Sequence, residues 1–154
     1  MSTIEIGRRN DLSLLVKRYT EAIVAKDIAA WVDLWAAEGV FEHPYAPPGY
    51  KKSIVGKKAI AEYMSSFPER FDVKGITIIG LVQNDVGTEG FAELKLEATS
   101  LSTNRPYNQH YVGFMRINDA GEILLYRDFW NPLVAIETFG NAQSFIAAFN
   151  AGEN

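Results

Sequence analysis

The sequence feature that most constrains the fold is a set of four long runs in which apolar and polar residues alternate. A period of two is typical of β-strands, and β-branched and aromatic residues are frequent in these runs. Three short segments rich in Asn, Asp, Gly and Pro separate them. Connections this short cannot cross over to a parallel neighbour, so they predict antiparallel hairpins. The four predicted strands are Val73–Val82, Phe91–Leu101, Tyr107–Ile117 and Ile123–Trp130.

The first half of the chain has a helical period instead. Between residues 10 and 26 apolar side chains recur every three or four positions, which predicts an amphipathic helix with Asn10 or Asp11 as its N-cap. The pattern restarts at residue 27 and continues to Gly39. We expect this glycine to end a second helix in the left-handed conformation.

A short strand is predicted after the second helix, from Val40 to Pro44. Its alternation places Phe41 and His43 on one face and Glu42 on the other. Residues 45–53 contain several proline and glycine breakers and are predicted to form a loop.

Three further helical segments complete the coarse prediction. A third helix is predicted from residue 57 to residue 67, and Pro68 is expected to end it. After the last strand, Asn131 is expected to cap a helix that stops at Gly140. Residues 142–149 are expected to form a last helix that lies on the body of the fold.

Helices in the first half and a meander of strands in the second predict an α+β domain. We expect a cone-shaped, curved sheet, antiparallel or mixed, with three N-terminal helices covering one face. The chain has no internal repeat and no linker-like segment, so residues 1–154 are predicted to form a single domain with residues 141–154 as its C-terminal tail. The open end of such a cone is a natural ligand site.

Composition argues against several kinds of partner. The net charge is −4 and no Lys/Arg cluster is longer than the pair Lys57 and Lys58, so binding to nucleic acid or to an anionic membrane is not expected. The N-terminal residues lack the apolar segment of a signal peptide, and no stretch reaches about 18 apolar residues. We therefore expect a soluble, cytoplasmic protein, and the absence of cysteine is compatible with a reducing compartment.

No cofactor and no metal are expected. The chain has no cysteine, and its two histidines, His43 and His110, are predicted on opposite faces of the sheet. Glycine-rich nucleotide motifs and the serine-hydrolase motif do not occur. The aromatic residues, nine Phe, seven Tyr and three Trp, exceed the needs of a core of this size. They favour a lined cavity for a small apolar or aromatic ligand.

The alternation along the last two strands predicts which residues share that cavity. If Trp130 faces inward, Asp128 and Tyr126 face inward with it. On the preceding strand, Tyr111 and Gly113 then point to the same side. Of the two histidines, the same parity leaves His43 as the candidate site residue.

Three segments carry a resemblance to a known superfamily. KRYTEAIVAKDIAAWVDLWAAEGVFEHP resembles the opening of ketosteroid isomerases, QHYVGFMRINDAGEI resembles their penultimate strand and LLYRDFWNP their last strand. The chain is identified as a member of the nuclear transport factor 2-like superfamily, which has a cystatin-like fold. The superfamily includes SnoaL-type polyketide cyclases, scytalone dehydratase and limonene epoxide hydrolase. The resemblance covers nearly the whole chain. The final segment through NPLVAIETFG is also similar to phenazine-biosynthesis A/B proteins, which carry an acid at the position of Asp128.

The resemblance implies roles for individual residues. The tyrosine that donates a hydrogen bond to an oxyanion in ketosteroid isomerases matches Tyr19, and their general-base aspartate matches His43. Their pocket tryptophan matches Trp130, and their supporting tyrosines match Trp35 and Tyr63.

Two departures remove the ketosteroid isomerase signature. One is the histidine at position 43, and the other is Gly113, where those enzymes have a second oxyanion donor, an aspartic acid. The limonene epoxide hydrolase triad is absent as well, because its arginine and second aspartate fall on Tyr111 and Gly113. The resemblance therefore leaves the subfamily open.

Asp128 and His43 form the predicted acid–base pair. A carboxylate among apolar neighbours is either paired or has a raised pKa. Asp128 would orient the imidazole of His43, and His43 would serve as general base. One alternative is a structural carboxylate bonded to Tyr111, to a backbone amide or to the neighbour of Arg127 on an adjacent strand. The other is a histidine that caps the turn from residue 44 to residue 48.

Tyr19 is the predicted oxyanion donor, with Tyr63 as its supporting partner. The alternative is an ordinary tyrosine on the core stripe of a helix. For Trp31, Trp35, Phe67 and Trp130, the sequence leaves open whether they belong to the core or to the pocket wall. The residues expected to bind a substrate are Trp31, Trp35, Tyr63, Phe67, Tyr111 and Trp130.

Two functions remain open at this point. The first is a cofactor-independent enzyme of SnoaL or ketosteroid isomerase type that moves a proton next to a carbonyl on an apolar cyclic substrate, by isomerisation, cyclisation or dehydration. The second is a domain that binds a ligand without turnover, or that serves mainly for dimerisation. The resemblance and the outward-facing Val112, Phe114 and Phe129 predict a homodimer.

Overall fold

The computed structural model describes residues 11–152. Asp11, one of the two predicted N-caps, accepts a hydrogen bond from the Leu14 N–H, and the other, Asn10, lies outside the described residues. In chain order, the elements are α1 Leu12–Val24, α2 Ile28–Val32, β1 Trp35–Glu42, β2 Ser53–Val55, α3 Lys57–Met64, α4 Phe67–Arg70, β3 Phe71–Gln83, β4 Glu89–Ser100, β5 Gln109–Ile117, β6 Ile123–Phe129, α5 Pro132–Phe139 and α6 Ala142–Phe149.

The strands of the described chain form one curved sheet in the order β2-β1-β6-β5-β4-β3. β1 runs parallel to β6, and every other neighbouring pair is antiparallel, so the sheet is mixed. The three predicted hairpins, β3 with β4, β4 with β5 and β5 with β6, are confirmed. The predicted α+β class with a curved sheet is confirmed as well.

The second predicted helix is shorter than its periodicity indicated. α2 ends at Val32, and β1 begins at Trp35, inside the segment that was expected to be helical up to residue 39. Trp35 pairs with Ile123 of β6. Gly39 therefore ends no helix, and a Cβ at this position would lie only 2.9 Å from the backbone oxygen of Ile123. Pairing with β6 overrides the local helical pattern.

The segment from residue 53 to residue 70 also differs from the prediction. α3 ends at Met64, and Pro68 lies in the first turn of α4 instead of ending α3. Proline fits there because the first N–H groups of a helix have no partner within the helix. β2, Ser53–Val55, begins at the last residue of the predicted loop and pairs with β1.

The last two helices follow the sequence closely. Asn131 accepts a hydrogen bond from the Leu133 N–H at the start of α5, and Gly140, with φ of 94°, ends that helix. α6 forms over the predicted residues, and its Phe145 and Phe149 are buried. α6 is therefore packed onto the body of the fold.

Alternation along β6 separates the two faces of the sheet as predicted. Tyr126 and Asp128 are buried on the inner face, with Trp130 directly after the strand, whereas Arg127 lies on the outer face beside Glu42. The core fills the space between the inner face and the helices. Within residues 11–152, no helix has the length and apolar character needed to cross a membrane.

Candidate functional site

A partly open cavity lies between the inner face of the sheet and helices α1, α3 and α6. It leaves about 70 Å³ for the centres of water-sized molecules, which is room for several waters or a compact ligand. Six of the seven tyrosines of the chain line it, namely Tyr19, Tyr50, Tyr63, Tyr107, Tyr111 and Tyr126. The other lining residues are Ile23, Phe41, His43, Met64, Phe67, Ile76, Leu94, Leu96, Asp128, Trp130, Phe145 and Phe149.

The three predicted catalytic residues reach this one cavity from three different elements or their ends. Tyr19 comes from the middle of α1, His43 follows β1 and Asp128 lies near the end of β6. Among the predicted substrate-binding residues, Tyr63, Phe67, Tyr111 and Trp130 also line the cavity.

Trp31 and Trp35 do not line the cavity, in contrast to the prediction for both. Both side chains are fully buried behind it. The Trp31 ring lies 5.6 Å from the ring of Tyr19, and the Trp35 ring lies 5.1 Å from that of Phe41. The two tryptophans therefore support wall residues from behind. For Trp35, the reason is that a strand replaces the helix predicted to present it.

Asp128 is a buried carboxyl group with an unsatisfied oxygen. The residue is 7% exposed, and its Oδ1 has no hydrogen-bond partner among residues 11–152. The predicted structural alternative, a bond from Tyr111 or from a backbone amide, is therefore not formed to this oxygen. Burial raises the pKa of Asp128 well above its usual value of 3.8. A carboxyl group of this kind can give and take a proton nearer to neutral pH.

His43 is paired with Trp130, not with Asp128. The Trp130 indole N–H donates to His43 Nδ1 at 3.1 Å, while Nε2 is buried and has no partner among the described residues. The predicted arrangement in which Asp128 orients the imidazole is thus not observed. Burial lowers the pKa of His43 to about 3. A base with so low a pKa takes up protons poorly at neutral pH, which weakens the predicted base role.

The place of the missing donor at Gly113 is filled by Tyr126. Gly113 lies opposite Asp128 in the register of β5 and β6. A Cβ at position 113 would lie 2.7 Å from the Tyr126 hydroxyl oxygen, so this phenol occupies the room of a side chain there. Its ring stacks on that of Tyr19, with centroids 4.8 Å apart. The alternation of side chains along the last strand predicted that Tyr126 lies on the inner face. Nothing in the sequence indicated that its hydroxyl reaches Gly113.

Tyr63 hydrogen bonds to Tyr50, and no hydrogen bond joins it to Tyr19, its predicted partner, among the described residues. Sequence reasoning also missed Tyr50 itself, because it lies in a loop with no periodicity. Its ring stacks on Phe145 of α6 at 5.1 Å, and Phe149 of the same helix faces Tyr63 at 5.9 Å. The spacing of four between these two phenylalanines was the available signal for a buried helix face.

The charge of the cavity is low. No Lys or Arg of the described chain is among the lining residues, and Asp128 is the acidic residue that lines it. Within residues 11–152, no cluster of three His, Cys, Asp or Glu side chains is placed to hold a metal ion.

Comparison with known proteins places the chain in a family. Residues 16–126 match the family model described as the SnoaL-like domain, and the chain belongs to this family. YesE, an uncharacterised protein of Bacillus subtilis, is 33% identical over 138 residues, which cover 90% of this chain and 92% of YesE.

Two further relatives agree with this assignment. The uncharacterised PhzA/B-like protein PA3332 of Pseudomonas aeruginosa is 36% identical over 118 residues, which cover 77% of this chain and 82% of that protein. A crystal structure of a candidate isomerase from Bacillus subtilis superposes with a TM-score of 0.81 at 31% identity, covering 87% of this chain and 95% of that one. The nuclear transport factor 2-like fold expected from the sequence is thereby shown.

Proposed function

We propose that the chain is a cofactor-independent acid–base enzyme, of isomerase, cyclase or dehydratase type, that moves a proton next to the carbonyl group of a small, neutral, apolar ring compound. One observation carries the proposal: the Asp128 carboxyl group is buried in an aromatic cavity, and its Oδ1 is unsatisfied among residues 11–152. Leaving such a group without a partner costs roughly 1–3 kcal/mol of stability. A ligand that hydrogen bonds to this carboxyl group would explain why the group is buried there.

Asp128 is the proposed proton carrier. In its ionised form it would take a proton from the carbon atom next to the carbonyl, and the resulting carboxylic acid would return that proton to another atom of the same ligand. Burial raises the pKa of Asp128, which makes the ionised form a stronger base than an exposed carboxylate.

Tyr19 and Tyr126 are the proposed donors to the carbonyl oxygen as negative charge develops on it. Burial raises the pKa of both phenols well above 10.0, so both keep their protons at neutral pH. One donor of this kind contributes about 10²- to 10³-fold in rate. Tyr126, stacked on Tyr19, thus supplies a second donor, which Gly113 cannot supply because it has no side chain.

A neutral ligand suits the cavity better than an anionic one. No described Lys or Arg lines the cavity to pair with a carboxylate or phosphate on the ligand. An anion would also lie near the ionised form of Asp128, at a cost that low dielectric increases.

Proton exchange at carbon tests the proposal. Small cyclic ketones in D₂O would be followed by NMR with wild-type protein, Asp128→Asn and the control Asp119→Asn, which changes an exposed turn residue. We expect catalysed exchange in the wild type and the control, rising with pH through the raised pKa of Asp128, and none in Asp128→Asn. Identical pH profiles for the wild type and Asp128→Asn would overturn the assignment of the base.

The alternative function, binding without turnover, has a distinct outcome in the same experiment. It predicts that ketones or other neutral ring compounds raise the melting temperature of the protein while no variant accelerates exchange. Binding without exchange across the panel would favour this second function over catalysis.

We also propose that the protein forms a homodimer through the outer face of β4 and β5. Phe91 is 47% and Val112 39% exposed there, and the Phe91 ring packs on Phe114 at 5.1 Å. Sedimentation should give a dimer for the wild type and a monomer for Val112→Glu. The control Val86→Glu changes an exposed residue in the β3–β4 turn and should remain dimeric. A wild-type monomer at micromolar concentration would contradict the proposal.

A further inference from the structure

The hydrogen bond between Trp130 and His43 determines which nitrogen of the imidazole carries a proton. The indole nitrogen is a donor with no lone pair to offer, so the Nδ1 that receives its N–H at 3.1 Å must be unprotonated. A neutral imidazole then carries its single proton on Nε2. This Nε2 is buried and has no partner among the described residues.

The indole ring is held in place by aromatic packing. Its centroid lies 5.8 Å from that of His43, 5.6 Å from that of Tyr50 and 5.5 Å from that of Phe145. Trp130 is only 6% exposed, so its ring has little freedom to turn the N–H away from the imidazole.

The backbone next to Trp130 is fixed by a second polar contact. The buried Gln109 side chain accepts a hydrogen bond from the Asn131 N–H at 3.0 Å and donates to the Asn131 carbonyl at 2.9 Å. The oxygen and the nitrogen of one side-chain amide thus fix the residue that follows the tryptophan. The end of β6 cannot shift without breaking this pair.

We propose that Trp130 is a positioning residue whose indole N–H holds His43 as the neutral tautomer with its proton on Nε2, so that His43 donates a hydrogen bond to the ligand. The consequence of this tautomer for catalysis rests on the proposed function. There Asp128 is the base, and His43 becomes a third hydrogen-bond donor beside Tyr19 and Tyr126. The tautomer itself rests on the hydrogen bond alone.

The surroundings of His43 disfavour a second proton. A proton on Nδ1 would face the indole N–H and break that hydrogen bond. The titratable groups packed around the imidazole are Tyr50 and Tyr63, with ring centroids at 5.9 and 5.4 Å, and Asp128 in the same cavity. Burial raises the pKa of both phenols, so neither supplies a negative charge at neutral pH, and no bond joins His43 to Asp128 in the described chain.

The proposal narrows the class of ligand. A fixed N–H donor on His43 requires an acceptor atom on the ligand, such as a carbonyl or ether oxygen. An ammonium group would present a second donor to the same N–H and is disfavoured at this position. The cavity is thus expected to select neutral acceptors within the class of ring compounds proposed above.

Nitrogen NMR of the wild-type protein tests the tautomer directly. In protein labelled with ¹⁵N at histidine, long-range proton–nitrogen correlations separate protonated from unprotonated ring nitrogens. We expect His43 to show a protonated Nε2 and an unprotonated Nδ1 throughout about pH 5 to 8. The exposed His110 on the outer face provides the second set of signals in the same spectrum. A proton on Nδ1 of His43 would overturn the proposal, whether alone or together with one on Nε2.

Trp130→Phe tests whether the tryptophan is the cause. The variant keeps an aromatic ring and removes the indole N–H, so the Nε2–H tautomer of His43 should lose its preference and both forms should be populated. Tyr50→Phe is the matched control, because it alters another aromatic neighbour that makes no hydrogen bond to His43, and its spectrum should keep the wild-type tautomer. An unchanged His43 tautomer in folded Trp130→Phe would contradict the positioning role.

The tautomer and the proposed function fail in different ways. If His43 has the expected tautomer and no ketone exchanges protons, the catalytic proposal fails and the hydrogen-bonding role stands. If Asp128-dependent exchange is found while His43 carries its proton on Nδ1, the inference about Trp130 fails and the function stands.

Discussion

The two faces of strands β5 and β6 differ in whether their ionisable side chains have partners. On the inner face, the Asp128 carboxyl group is buried, and its Oδ1 has no partner among residues 11–152. On the outer face, polar side chains that are partly exposed to water nevertheless have partners. Arg127 pairs with Glu42 and Arg116 with Glu89, both at 2.7 Å, and His110 hydrogen bonds to Glu93 at 2.6 Å.

This difference is the reverse of what stability alone would favour. An exposed ion pair contributes about 0–1 kcal/mol, so the outer charges would lose little if they were unpaired. An unsatisfied group costs most when it is buried. The inner face therefore keeps a buried carboxyl oxygen that has no partner in the described part of the chain, and in the proposed function the ligand compensates for this cost.

Gly113→Ala should show the largest effect on stability, since it adds a side chain to the crowded inner face. A Cβ there would lie 2.7 Å from the Tyr126 hydroxyl and 2.8 Å from its ring, so either the ring must move or the strands must separate. We expect a loss of about 1–3 kcal/mol in the free energy of unfolding, measured by urea denaturation. Gly75→Ala on β3 is the control, because nothing lies within 4 Å of its added Cβ, and it should stay close to wild type. Equal stability of the two variants would show that the inner face is not tightly packed.

Asp128→Asn should increase stability by an amount that depends on pH. Burial raises the pKa of Asp128 in the folded protein, so the folded state binds this proton more tightly than the unfolded chain. The resulting stability is fully present below the unfolded pKa and is lost as pH rises through the folded pKa. Asparagine does not ionise, so Asp128→Asn should match the wild type in acid and exceed it at neutral pH and above. Each unit of pKa difference corresponds to about 1.4 kcal/mol.

The comparison for this second prediction is Asp119→Asn in the exposed β5–β6 turn. Thermal melting across the pH range should show a difference from wild type that grows with pH for Asp128→Asn and does so more steeply than for the exposed Asp119→Asn. A constant difference for both variants would mean that Asp128 ionises as easily as a surface carboxyl group.

Glu42→Gln on the outer face should show the smallest effect. It removes the ion pair with Arg127 but leaves an amide that can still hydrogen bond, and both side chains are partly exposed. We expect a loss of less than about 1 kcal/mol that shrinks further as salt is added. A larger, salt-independent loss would mean that the outer face also depends on buried electrostatics.

Much of the fold could be predicted because its signals are local. The hairpins follow from the short turns, and the inward direction of Tyr126, Asp128 and Trp130 follows from strand parity. The segment from Trp35 to residue 39 could not be predicted in the same way. Its apolar spacing suits a helix, and it forms a strand because β6 offers hydrogen-bond partners from a distant part of the chain.

Which residues line the site was more predictable than which of them hydrogen bond to one another. Tyr19, His43 and Asp128 do share one cavity. Which of them hydrogen bonds to which depends on distances between elements, and no periodicity encodes those distances. The Trp130 partner of His43 and the Tyr126 hydroxyl against Gly113 therefore required the structure.

The most direct test of the account is the pKa of the Asp128 carboxyl group in the folded protein. It can be measured from the carboxyl ¹³C chemical shift as a function of pH, with Asp128→Asn to assign the signal. The account predicts that Asp128 titrates well above 3.8, because burial disfavours the ionised form and Oδ1 has no hydrogen-bond partner among residues 11–152. A titration at or below 3.8 would mean that the carboxylate is well solvated or paired when the cavity is empty, which would contradict the account of Asp128 as the acid–base group of the site.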